Sequence, residues 1–127
     1  MGLFSGLLGN ATTVDSDTLR QQLAPILAET ETIEIGFQLI RDQFVFTNRR
    51  LILIDKQGLT GKKTEYLSVI YRAITRFSVE TAGHFDLDAD LKIWVSGAAE
   101  PIVRSLHGGD NVTAIQQALA TAVLSTR

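Results

Sequence analysis

The chain has 127 residues, 45% of them hydrophobic and 20% charged, with a formal net charge of -2. That length suits a single domain able to bury a core without staples. Having no cysteine, it can form neither disulfides nor thiolate metal sites, and it has no cysteine nucleophile. Basic and acidic residues are interspersed, which argues against a nucleic-acid partner, and no apolar run approaches the roughly 20 residues of a membrane span.

Residues 1–10, MGLFSGLLGN, set Leu3, Phe4, Leu7 and Leu8 at helical spacing. Such a segment is too short to be a stable free helix. It lacks the charged start of a secretory signal, and Gly6 stands where myristoylation needs Ser or Thr. A cytoplasmic protein is expected, its first residues either capping its own core or docking on a partner, a sister subunit or a membrane surface. From Val14 to Thr30 the pattern is helical, with cap oxygens at Asp15, Ser16 and Asp17 and an apolar stripe of Leu19, Leu23, Ile26 and Leu27. Pro25 predicts a kink or two short segments.

The period then changes from 3.6 to 2. Ile33, Ile35, Phe37 and Leu39 make a half-buried strand, Arg41-Asp42 a tight hairpin before Phe44 and Phe46, and Asn48-Arg49-Arg50 the next turn. Leu51 to Ile54 is continuously apolar, so this strand is central or buried on both faces. Turn chemistry follows from Asp55 to Gly61, then strands at Thr64–Ile70 and Ala73–Thr81. Phe85, Leu87, Ala89, Leu91, Ile93 and Val95 alternate without fault against Asp86, Asp88, Asp90, Lys92 and Trp94. A last strand, Pro101–Leu106, suits an edge. Beyond Asp110 and Asn111, Val112, Ile115, Leu119 and Val123 form one face of a closing helix, with Ala118 and Ala122 allowing close packing.

The chemical motifs are weak. Asp86, Asp88 and Asp90 resemble the opening of a calcium loop, but Leu91 and Gly97 occupy the positions of the required Gly and Glu. Gly58 to Thr64 echoes a phosphate loop with its glycines too close and a strand where a helix should start. His84 and His107 are far apart, with no Cys, no G-x-S-x-G and no metal-spaced pair. No catalytic residue, metal or cofactor is therefore expected. Arg41, Arg49, Arg50, Lys62 and Lys63 lie at or beside hairpin turns and are candidates for binding an anion. Trp94 falls on the nominally outer face with the aspartates, which points to a surface covered by the chain's own helices or by another subunit.

The segment FTNRRLILIDKQGLTGKKTEYLSVIYRAITRFSVETAGHFDLDADLKIWVSG, above all RLILIDKQGLTGKK and SVETAGHFDLDADLKIW, resembles the bacterial pleckstrin-homology (PH) domain family. The resemblance covers about Glu31 to Leu124. It implies a mainly β, PH-like barrel of two orthogonal antiparallel sheets, about seven strands in all, with a C-terminal capping helix and an N-terminal helical extension. It divides the chain into a helical extension, 1–30, and a PH-like domain, 31–127. It further implies ring-like homo-oligomers and carries no enzymatic activity or cofactor. The long basic loop that binds phosphoinositides in eukaryotic relatives is reduced here to about Arg41-Asp42. The expectation is a non-catalytic module that self-associates and binds protein partners through Leu3, Phe4, Leu7, Leu8 and Trp94. The alternative is a peripheral membrane or phospholipid-headgroup adaptor using the apolar N-terminus and the basic turns.

Overall fold

A computed structural model describes residues 16–39, 42–57, 63–81, 88–107 and 112–125. The strands β1 (Ile33–Gln38), β2 (Asp42–Thr47), β3 (Arg50–Gln57) and β4 (Lys63–Ile70) pair in that order in one antiparallel sheet. A second antiparallel sheet holds β5 (Ile74–Thr81), β6 (Asp88–Val95) and β7 (Ile102–His107). Helix α1 (Ser16–Leu23) precedes the sheets and α2 (Val112–Leu124) follows them. The expected architecture is thus the observed one, seven strands in two sheets with a helix at each end.

Period-2 alternation builds the main core. Phe37, Phe44, Phe46, Leu51 and Leu53 from the first sheet meet Ala89, Leu91, Ile93 and Leu106 from the second, and α2 adds Ile115 and Leu119. Phe37 and Phe46 meet edge to face at 6.1 Å and 86°, the geometry the ring quadrupoles favour. The apolar run in β3 behaves as its lack of alternation predicts. Leu51 and Leu53 face this core, whereas Ile52 and Ile54 join Ile33, Val45, Leu19 and Leu23 in a second cluster beneath α1. The first sheet is therefore covered on both faces.

Pro25 acts as expected: α1 stops at Leu23, and a 3-10 turn spans Ala24–Ile26. Gly36 on β1 lets α1 approach, since a Cβ there would collide with the Leu19 side chain. In α2 the buried positions are Ala114, Ile115, Ala118, Leu119 and Ala122, while Val112 and Val123 are only half-buried. The face that packs is rotated toward the alanines, because small side chains bring the helix backbone closest to the sheets.

A 3-10 turn at Tyr71–Ala73 carries the chain from the first sheet to the second. The Ser96 amide donates to the Ala73 carbonyl at 2.8 Å, fastening this corner to the end of β6. Gly97, with φ at 85°, takes the left-handed backbone of the turn that follows. The β1–β2 connection closes with the Leu39 amide on the Asp42 carbonyl at 2.8 Å.

Candidate functional site

The densest polar construction sits where the helical lead-in meets the first sheet. The Glu31 side chain is 1% exposed. Arg50 donates to its two oxygens from Nε at 2.8 Å and Nη2 at 2.9 Å. The Thr47 hydroxyl adds a bond at 2.6 Å and the Ala28 amide one at 2.9 Å. Burial pushes the Glu31 pKa up, but these hydrogen bonds and the Arg50 charge outweigh it and hold the group at about 2. Arg50 also donates to Ser68 Oγ at 2.7 Å and to the Ile26 carbonyl at 2.8 Å. The Tyr71 hydroxyl lies 2.7 and 2.8 Å from the carbonyls of Thr47 and Arg50. This knot ties the segment before β1, the β2–β3 turn and the inter-sheet corner together. Its groups saturate one another, so its chemistry is structural.

The basic turns separate in space. Arg50 and Ile70 form the pair at one end of the β3–β4 ladder, Gln57 and Lys63 the pair at the other. Roughly 23 Å of extended chain lies between, too far for one phosphate to bridge. Arg50 is engaged by Glu31, whereas Arg49 is exposed and its Nη2 donates to Thr30 Oγ1 at 2.9 Å. Lys63 is exposed at the start of β4, and Arg41 and Lys62 lie outside the described residues. So do Leu3, Phe4, Leu7, Leu8, Asp86 and His84.

The outer face of the second sheet carries Trp94, as alternation requires. Its ring lies under the Arg76 guanidinium, 4.3 Å from the centroid, a cation–π contact made by the register partner on β5. Alternation places Arg76, Ser78, Glu80, Asp88, Asp90, Lys92, Val103, Ser105 and His107 on this face with it, and Val103 is 44% exposed. His107 Nδ1 is 3.2 Å from Asp88, and Ser105 donates to Asp90 at 3.3 Å. Among the described residues no group of three or more His, Cys, Asp or Glu could hold a metal ion. No described helix is long and apolar enough to cross a membrane.

Three features escaped the sequence. Glu31 and Arg50 are 19 residues apart, joined by no periodic signal. Arg104, the register partner of Leu91, is largely buried beside half-exposed Glu65 at 3.6 Å, and its buried Nε has no partner among the described residues. The Ile102–Arg104–Leu106 alternation was the available clue. Arg72, in the inter-sheet corner, joins Arg49 on one pocket wall, and nothing local announced that.

Comparison with known proteins agrees with this geometry. The family model for the bacterial PH domain matches residues 2–123. The uncharacterized protein YjqA of Bacillus subtilis (strain 168) is 52% identical over 125 residues, 98% of this chain and 100% of the relative. The crystal structure of a pleckstrin homology domain from Shewanella amazonensis SB2B superposes with a TM-score of 0.86 at 50% identity, over 98% of this chain and 100% of that one. A DUF1696 family protein with a pleckstrin-homology domain from Shewanella loihica PV-4 gives 0.76 at 54% identity, over 91% and 98%. With the seven-stranded arrangement already described, these matches show that the chain belongs to the bacterial PH domain family.

Proposed function

We propose that this PH-like domain is a non-catalytic interaction module that self-associates, in a closed ring, and binds protein partners. The observation that carries the reading is the outer face of the second sheet. There Trp94, half-buried under Arg76, shares the outward face with Val103, which is 44% exposed. A large aromatic held rigid at little entropic cost is a typical interface anchor. The apolar residues Leu3, Phe4, Leu7 and Leu8 would supply a second contact. The division of the basic turns between two ends of the sheet weighs against a headgroup site, which needs a concentrated cationic field.

Light scattering on the full chain tests the proposal. The expected mass is several times the 13.9 kDa monomer, lowered by Trp94→Glu with an unchanged far-ultraviolet spectrum. A wild-type chain that stays monomeric at micromolar concentration refutes self-association. Liposome flotation that is lost on deleting residues 1–10, with mass unchanged, would transfer the assignment to a membrane adaptor.

A further inference from the structure

The end of the first sheet that carries the β2–β3 turn holds a surface pocket of about 360 Å³, lined by Asn48, Arg49, Ile70, Tyr71 and Arg72. We infer that this Arg49–Arg72 pocket binds a carboxylate of an acidic, partly apolar peptide segment in a protein partner; the inference rests on the interaction-module reading and gives that partner its chemistry.

Three observations support it. First, both guanidiniums lack a carboxylate among the described residues. Arg49 makes one side-chain bond, to Thr30, and Arg72 makes none. Arg50, one residue away, is neutralised by Glu31, so the two arginines that line the pocket keep their positive charge without a described carboxylate beside them. Second, Arg49 is already oriented, because its Nη2 is tethered while Nε and Nη1 stay available. Asn48 fixes the turn beneath it, accepting from the Thr32 amide at 2.8 Å and donating from its own amide to the Thr32 carbonyl at 3.0 Å. A fork held in place loses less entropy on meeting a carboxylate, and its planar donors match one. Third, the pocket lip is apolar: Ile70 is 48% exposed, and the Tyr71 hydroxyl is turned away to the Thr47 and Arg50 carbonyls. A carboxylate next to an aliphatic side chain complements that combination. A lipid surface fits it less well, since stable adsorption needs several clustered cations and two arginines line this pocket.

The test uses the full chain and a fluorescein-labelled peptide of alternating leucine and glutamate, with a leucine–glutamine peptide as its uncharged match. Anisotropy should show salt-sensitive binding of the glutamate peptide alone, with amide shifts at Arg49, Ile70 and Arg72. Arg72→Gln removes no hydrogen bond or ion pair to a described residue and should weaken binding about tenfold or more. Arg49→Gln should act likewise, and Lys63→Gln, at the opposite end of β3, should have little effect. Equal binding of both peptides, no binding at millimolar peptide, or shifts confined to the Lys63 end overturns the inference. So does sedimentation with phosphatidylserine vesicles that depends on Arg72 while the peptide stays unbound. Light scattering keeps the two readings apart: a monomeric wild type that still binds the peptide through Arg72 refutes self-association and supports the pocket.

Discussion

Replacing Glu31 by Gln keeps the shape of the buried knot and removes its charge. Lowering the pKa from 4.5 to about 2 corresponds, at about 1.4 kcal/mol per pH unit, to about 3 kcal/mol favouring the ionised folded form. Glu31→Gln should therefore lose about 3 kcal/mol of unfolding free energy at neutral pH, measured by urea denaturation with an unchanged slope. The pH dependence follows from the direction of the shift. A depressed carboxyl stabilises fully above its unfolded value of 4.5, and the unfolded chain takes up the proton first on acidification. The gap between wild type and variant should hold to about pH 5, halve near about pH 3 and nearly close by about pH 2. Other titrating groups contribute to both curves and cancel in the difference when they lie far from the knot. A neutral-pH gap below about 1 kcal/mol, or one that does not narrow with acid, would refute the view that Arg50, Thr47 and the Ala28 amide hold Glu31 ionised.

Other outcomes follow from the packing. Gly36→Ala drives a methyl into Leu19, which is fully buried, and should cost about 1–3 kcal/mol; combined with Leu19→Ala, the losses should fall short of additive, and strict additivity would count against the contact. Tyr71→Phe removes the proton shared by two carbonyls at the inter-sheet corner and should cost about 1–3 kcal/mol, read as a lower melting temperature. An unchanged melting curve would mean that water replaces the hydroxyl.

The most legible strands were those whose pattern states which faces they bury. Ala89, Leu91 and Ile93 announce one covered face, and Leu51 to Ile54 announce two. Pro25 marked the end of α1 through its missing amide. The polar knot was hidden because Glu31, Thr47, Arg50 and Tyr71 are brought together only by the register of three strands. The grouping of basic turns was partly misleading for a related reason. In a meander of antiparallel strands, successive hairpins lie at alternate ends, so Arg49 and Lys63 stand apart although both flank β3. Arg72 lies in a corner without periodicity, so only the fold could bring it beside Arg49.

The helix that lies over Ile52 and Ile54 has a practical consequence for anyone trimming this protein. Beginning the chain at residue 31 would strip Leu19 and Leu23 from the back of the first sheet and leave Ile33, Val45, Ile52 and Ile54 wet. Such a fragment would be sticky for reasons unrelated to biology, and clumping seen with it could be mistaken for genuine subunit contacts.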